Sequence, residues 1–167
     1  MSFDVFFQPA QFSDDAIEQT NPFTGEVLSV VPMVPLAGSE LDAVRQVLKG
    51  ATSHGPDDFG CHVVKFQDGG VAQIFASELE RGCMAALRGI TPDLLQFLYD
   101  MLVAGRWVML PAMENPVSIT TPSSSVSGLP EDFLEVVECK SAAELGVLLN
   151  DGFQTWKKYR DQVLGGE

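Results

Sequence analysis

The stretch CHVVKFQDGGVAQIFA, residues 61–76, decides the fold class of this chain. Two apolar-rich runs, 61–66 and 71–76, flank the turn Asp68-Gly69-Gly70, and aspartate followed by glycine is typical of the tight turn of a β-hairpin. Because the two strands of a hairpin pair antiparallel, this stretch predicts a sheet built from sequence neighbours. The segments on either side extend the same pattern.

The N-terminal segment predicts one strand and then a second hairpin. Residues 3–7 form the first strand, which ends before Pro9. The sequence NPFTGE, residues 21–26, then reverses the chain, since Pro22 presets a turn dihedral and Gly25 tolerates a positive φ. We therefore expect residues 27–31 to return as a strand, with NPFTGE at the exposed tip of the hairpin.

Three segments carry the start signals of helices. Ser39 is predicted to cap the first helix, with Gly50 past its end. Thr91-Pro92-Asp93 combines a capping hydroxyl, a proline at the first helical position and an acid in the first turn. Ser141-Ala142-Ala143-Glu144 is a capping box that begins the C-terminal helical region, which Asp151-Gly152 can divide into two helices.

The remaining segments predict strands and loops. Residues 106–111 have almost no polar alternation, which indicates a central strand covered on both faces. The other predictions are strands at 83–87, 117–120 and 133–137 and loops at 51–60 and 112–130. Adjacent hairpins with three to four helices favour a single α+β domain over 1–167, with a largely antiparallel sheet.

The charge of the chain indicates the kind of partner. Asp and Glu number 23 against 10 Lys and Arg, so the net charge is −13. Such a chain is not expected to bind nucleic acid, because that binding depends on cations that contact phosphates. No Lys or Arg precedes Arg45. The sequence predicts that a basic protein binds an acidic patch, whose residues are Asp14, Asp15, Glu18, Asp57 and Asp58.

The cysteines and the N-terminus predict a cytoplasmic protein. Cys61, Cys83 and Cys139 are odd in number and widely spaced, as is typical of free thiols in a reducing compartment. The N-terminal MSFDVFFQ has no basic n-region and no small-residue cleavage site. The longest nearly apolar stretch, 94–110, contains Asp100 and Arg106, so we expect no membrane span.

The segment HGPDDFGCH, residues 54–62, contains the residues most suited to chemistry. His54, Asp57, Asp58, Cys61 and His62 are all residue types that bind zinc. A structural zinc site usually takes two closely spaced ligand pairs, and this segment has no second pair. Adjacent Cys61 and His62 on a strand also point to opposite faces. We therefore predict no bound metal, no cofactor and no cysteine catalysis.

Enzymatic activity is not predicted. The chain lacks G-x-S-x-G, H-E-x-x-H, the phosphate-binding loop and G-x-G-x-x-G, which are the signatures of the common hydrolases, zinc proteases and nucleotide-binding enzymes. A small enzyme that uses the His54–His62 segment remains an alternative, and it requires those five side chains to converge in one cleft. Glu78 and Glu80 are interpreted as a solvated strand end.

Four stretches resemble small cytosolic bacterial proteins that open with MSFD-V-F-x-Q. They are MSFDVFFQ (1–8), NPFTGE (21–26), TPDLLQFL (91–98) leading to WVMLP (107–111), and WKKYRDQV (156–163), which together cover less than half of the chain. Some of those proteins resemble immunity proteins of polymorphic toxin systems. The resemblance implies a protein that blocks the site of a toxin and that has no catalytic residue of its own.

Three hypotheses about function follow. The favoured one is a non-catalytic acidic protein, an immunity or regulatory protein that neutralises a basic partner such as a toxin. The second is a structural or assembly subunit, for example of a phage or a secretion apparatus, which forms a defined homo-oligomer. The third is the small enzyme. The sequence leaves the oligomeric state open.

Overall fold

Alternating apolar residues build the central strands of the sheet. The structure, a computed structural model, describes residues 2–124, 129 and 135–165. The strands are β1 (Phe3–Pro9), β2 (Ile17–Thr20), β3 (Val27–Val30), β4 (Thr52–His54), β5 (Cys61–Lys65), β6 (Val71–Phe75), β7 (Cys83–Leu87), β8 (Trp107–Pro111), β9 (Ser118–Thr120) and β10 (Val136–Glu138). The helices are α1 (Gly38–Ala51), α2 (Pro92–Gly105) and α3 (Ala142–Gly165), with one 3₁₀ turn at Leu79–Arg81.

Eight strands form one sheet in the order β10-β9-β8-β1-β7-β6-β5-β4. The pair β10–β9 is parallel and the other neighbouring pairs are antiparallel. Strands β2 and β3 form a separate two-stranded hairpin. The predicted α+β class with a largely antiparallel sheet is therefore confirmed, and β8 lies inside the sheet as its uninterrupted apolar sequence predicted.

The helices cover one face of this sheet, with α2 between α1 and α3. Phe3, Val5 and Phe7 alternate along β1 and are buried in the core that the sheet shares with the helices. Phe7 packs on Trp107 of β8, with 5.5 Å between the ring centroids, and Phe3 packs edge-on against Phe153 of α3. The core thus joins both ends of the chain to the central strands.

The predicted start signals of α2 and α3 act as local caps. The Thr91 hydroxyl accepts a hydrogen bond from the N–H of Leu94 at 3.4 Å. The Ser141 hydroxyl accepts from the N–H of Glu144 at 3.1 Å, and the Glu144 carboxylate accepts from the N–H of Lys140 at 2.7 Å. These bonds satisfy donors that a helix start leaves without a partner.

The structure differs from the sequence predictions for the first helix, for the loop 51–60 and for the last strand. The first helix begins at Gly38 after Ala37, with no side-chain cap, so Ser39 is not its cap and Gly50 lies inside its last turn. The predicted loop 51–60 contains β4, because Thr52–His54 pair with β5. Residues Val136–Glu138 form β10, whereas 133 and 134, predicted as part of this strand, lie outside the described residues, as does part of the predicted loop 112–130.

Helix α3 passes through Asp151-Gly152 without a break. Gly152 packs closely on the core, since a Cβ built there would lie 2.8 Å from the Cβ of Met113 and 3.3 Å from the Phe3 ring. The glycine therefore allows the helix to approach β1, rather than ending it.

Candidate functional site

The β2–β3 hairpin is the most exposed element of the described chain. We name residues 17–30, which comprise β2, the NPFTGE turn and β3, the hairpin arm. All eight residues of its two strands are exposed, and the Phe23 side chain at the tip is 95% exposed. A hairpin that contributed to the core would bury one of its faces. The arm therefore contributes surface rather than core.

The turn chemistry holds the tip of the arm in one conformation. The Asn21 side-chain oxygen accepts hydrogen bonds from the N–H groups of Phe23 at 2.9 Å and Thr24 at 3.3 Å. The N–H of Gly25 donates to the Asn21 carbonyl at 2.8 Å, and φ at Gly25 is +73°. The predicted exposed tip and the predicted positive φ at Gly25 are both confirmed.

One face of the arm is largely apolar. Ile17 pairs with Val30 and Gln19 pairs with Leu28, so these four side chains share a face. Ile17 is 51% exposed and Leu28 is 53% exposed. Beside this face lies a cleft of about 340 Å³, to which Ile17, Val30 and Met33 contribute. The arm thus presents aliphatic side chains to solvent next to a concave surface.

Backbone hydrogen bonds fix the base of the arm. The N–H of Ser13 donates to the Pro32 carbonyl at 2.9 Å, and the N–H of Val34 donates to the Gln11 carbonyl at 2.9 Å. Leu36 then donates to the Glu80 carbonyl at 2.8 Å, which connects this segment to the 3₁₀ turn. The arm therefore extends from a hydrogen-bonded base and is held in place on the domain.

The five carboxylates predicted to bind a partner are all exposed, and they fall in two places along the chain. Asp14 and Asp15 precede the arm, and Glu18 lies on β2. Asp57 and Asp58 lie in the loop between β4 and β5. The Asp57 carboxylate has a local role there, since it accepts hydrogen bonds from the backbone N–H of the residues at 59 and 61, each at 2.9 Å.

The His54–His62 segment does not form a metal cluster. Across residues 2–124, 129 and 135–165, no three His, Cys, Asp or Glu side chains lie close enough together to hold a metal ion. Cys61 is buried, and its pKa is raised by burial and by the negative charge of Asp57. The ring of His54 is exposed and contacts the Ser53 hydroxyl at 3.2 Å. The thiol therefore does not have the lowered pKa of a nucleophile.

His62 lines a cleft beside α1 that is larger than the cleft beside the hairpin arm. We name it the α1 cleft; it measures about 630 Å³. Its lining residues come from α1, the β4–β5 region and the segment after β6, and they are Arg45, Leu48, Lys49, Thr52, Gly55, Pro56, His62, Ala76, Ser77, Leu79 and Glu80. The cleft combines two cations, one carboxylate, one imidazole and an apolar part.

The tautomer of His62 follows from its neighbours. The Thr52 hydroxyl donates its single hydrogen to the Leu48 carbonyl at 2.6 Å, so toward the Nδ1 of His62, 3.1 Å away, the same oxygen can only accept. Nδ1 therefore carries the proton. Burial lowers the pKa of His62 although the charge of Asp57 acts in the opposite direction. The neutral ring then has Nε2 as a hydrogen-bond acceptor.

The sequence predicted the exposed tip of the arm, but it did not reveal that both strands of the arm are exposed, and it did not reveal the α1 cleft. The apolar residues of 17–20 and 27–30 have the pattern of strands that bury one face, and sequence alone does not tell that this face is uncovered. Arg45 and Lys49 are spaced to share one side of a helix. That spacing was the only available signal for the cleft.

Comparison with protein-family models, with curated proteins and with solved structures found no match for this chain. The resemblance to immunity proteins stays a prediction. Within the part of the chain that the structure describes, none of the helices has the length and apolar character needed to cross a membrane.

Proposed function

We infer that this chain is a non-catalytic, cytoplasmic binding protein, an immunity or regulatory protein that neutralises a basic protein partner through its hairpin arm. The observation that carries this proposal is the arm itself, in which both strands and the tip are exposed although Ile17, Phe23 and Leu28 are large and apolar. Exposed apolar surface bordered by polar residues is typical of protein interaction sites.

Burial of the arm supplies a driving force for binding. Removing apolar surface from water is favourable by about 25 cal/mol per Å², and the affinity is what remains after the entropy lost on association is subtracted. Strands β2 and β3 pair with each other within the described residues, so each has an outer edge that can accept a strand of the partner. The hydrogen bonds within the turn and at the base pre-order the arm, which lowers the entropy lost on association.

Charge favours a basic protein over a second copy of this chain. Asp14, Asp15, Glu18 and Glu26 lie on or beside the arm and are exposed. Two copies, each with a net charge of −13, repel one another. A partner with Lys and Arg around an apolar centre instead meets carboxylates at its rim, which speeds the encounter and selects the correct face. Such a surface is typical of proteins that bind nucleic acid, including toxins of that class.

The test begins with affinity capture from host cells and continues with purified components. The arm variant Ile17→Ser/Leu28→Ser should lose the captured protein, whereas Val147→Ser should retain it. Val147 is a matched control because its side chain is 75% exposed on α3. If the arm variant retains every protein that the wild type captures, the proposed docking surface is wrong.

The electrostatic part has its own measurement. Reversal of Asp14, Asp15 and Glu18 to Lys should slow association with the captured protein and weaken its salt dependence, because screening shortens the reach of charges from about 10 Å at 0.1 M salt to about 3 Å at 1 M. Dissociation should change less. A control triple variant at Asp100, Glu138 and Asp151 changes the net charge equally, and equal slowing by both variants would contradict a specific acidic patch.

A structural or assembly subunit is the second candidate. Phe75, Met84, Phe6 and Leu110 are register neighbours across β6, β7, β1 and β8, and Phe6 and Phe75 are exposed. This row is an apolar surface on the sheet face opposite the helices. Sedimentation of the purified chain distinguishes the two proposals: a monomer supports the binding protein, and a defined homo-oligomer that Phe6→Ser dissociates supports the assembly subunit.

A further inference from the structure

We propose that the α1 cleft binds a small zwitterion of the amino-acid kind, with a carboxylate, a protonated amine and an apolar side chain. This inference goes beyond the proposed docking function of the hairpin arm, and it rests on a different set of residues. The cleft volume of about 630 Å³ falls within the roughly 300–1,000 Å³ of small-molecule sites.

The α1 side of the cleft supplies positive charge. Arg45 and Lys49 are four residues apart on α1 and both line the cleft. They are two of only ten Lys and Arg in a chain with 23 Asp and Glu. Two cations beside one cavity therefore give this place a local charge opposite in sign to the net charge of the chain. Arg45 lies 3.7 Å from Asp42, but both side chains are well exposed, and such a pair is weak and readily exchanged. These two cations suit a carboxylate.

Other elements supply hydrogen-bond acceptors. Glu80 follows β6 in the 3₁₀ turn and lines the same cleft. His62 lies on β5, and its Nδ1–H is committed to the Thr52 hydroxyl, which leaves Nε2 as an acceptor. The Glu80 carboxylate repels another negatively charged group, and the Nε2 lone pair of His62 has no hydrogen to donate to one. Both suit the N–H donors of a protonated amine.

Apolar residues complete the site. Leu48 and Leu79 are buried core residues that reach the cleft, and Pro56 and Ala76 also line it. A site with an apolar part and a few charged groups of both signs recognises a molecule with the complementary parts. A simple anion leaves Glu80 without a partner, and a simple amine leaves Arg45 and Lys49 without one.

The test uses three probes that share a phenyl ring and differ in charge. Phenylalanine has both charged groups, 3-phenylpropionate has only the carboxylate, and phenethylamine has only the amine. Amide chemical shifts of the ¹⁵N-labelled full chain are followed during titration with each probe. Phenylalanine should shift the amides of the cleft residues and bind at least about tenfold more tightly than either single-charge probe, as expected when one charge pair is lost in a partly shielded site.

Variants assign each charge. Arg45→Gln/Lys49→Gln should abolish the preference for phenylalanine over phenethylamine, and Glu80→Gln should abolish its preference over 3-phenylpropionate. Lys157→Gln/Lys158→Gln is the matched control, since it removes two exposed cations from α3, which contributes no residue to the cleft. It should leave all three affinities within about twofold, an expectation that follows from screening over distance.

Three results would overturn the proposal. The first is that phenylalanine does not shift the amides of the cleft residues. The second is that the wild type binds phenylalanine and a single-charge probe with equal affinity. The third is that the control variant and the cleft variants lose affinity for phenylalanine equally. The arm variant Ile17→Ser/Leu28→Ser should bind phenylalanine like the wild type. Failure of the docking proposal and failure of the cleft proposal are therefore separate observations.

Discussion

Gly82 is the position at which a single methyl group should damage the sheet most. It lies between the 3₁₀ turn and β7, with φ at +128°. A Cβ built on it meets the carbonyl oxygen of Phe7 at a distance that no real structure tolerates, and it lies 3.1 Å from the Phe7 carbonyl carbon and 3.3 Å from the Cα of Gln8. These are backbone atoms of β1, so no side-chain rotation relieves the contact.

The expected cost of Gly82→Ala has two parts. Gly82 has φ +128° and ψ −170°, a backbone region that is essentially restricted to glycine and costs an alanine about 1–3 kcal/mol. Forcing backbone atoms apart in a packed region costs about 1–3 kcal/mol more. Gly25→Ala is the comparison without a steric clash, because φ there is +73° but a Cβ meets nothing within 4 Å. Alanine at this position should cost only the positive φ, about 1 kcal/mol. Gly89→Ala has open space and no positive φ, and it should be nearly neutral.

Urea and thermal denaturation, followed by circular dichroism, measure these costs. A domain of this size loses about 2–4 °C of Tm per kcal/mol, so Gly82→Ala should lower Tm by about 10 °C and Gly25→Ala by about 3 °C. The reasoning is refuted if Gly82→Ala unfolds at the same denaturant concentration as Gly25→Ala. That result would mean that β1 and β7 are not paired as the structure has them.

Three further predictions concern titration and local order. Burial lowers the pKa of His62 against the opposing effect of Asp57, so the unfolded chain takes up the proton first as the pH falls. The free energy of unfolding should therefore be highest above the unfolded pKa near 6.5 and decrease as the pH drops below it. In His62→Gln, the free energy of unfolding measured with urea should depend less on pH in this range. Burial raises the pKa of Cys83 to about 12, so a thiol reagent should not modify it near neutral pH until the chain unfolds; rapid modification of the native protein would contradict this. Asp68→Ala removes the acceptor for the N–H of Gly70, 3.1 Å away, and hydrogen exchange of that amide should accelerate while the centre of β1 stays protected.

The sequence by itself determined the features that depend on a few neighbouring residues. Gly25 in the NPFTGE turn, the Asp68-Gly69-Gly70 hairpin and the caps at Thr91 and Ser141 all lie where they were predicted. Each depends on one residue's dihedral preference, or on a side-chain oxygen that reaches an N–H two or three positions away. Such interactions are complete within one turn of the chain, so their pattern is visible in the sequence.

Only the tertiary structure decided the features that join distant segments. β1 pairs with β7 and β8, about 80 to 100 residues further along the chain, and β4 is a strand only because β5 lies beside it. Gly152 reads as a helix end, yet its lack of a side chain lets α3 approach β1. The apolar face of the hairpin arm has the sequence of a buried strand and is exposed because no described element packs over it. The α1 cleft brings together α1, β5 and the 3₁₀ turn, and its character depends on their relative placement, because no local preference encodes the packing of separate elements against each other.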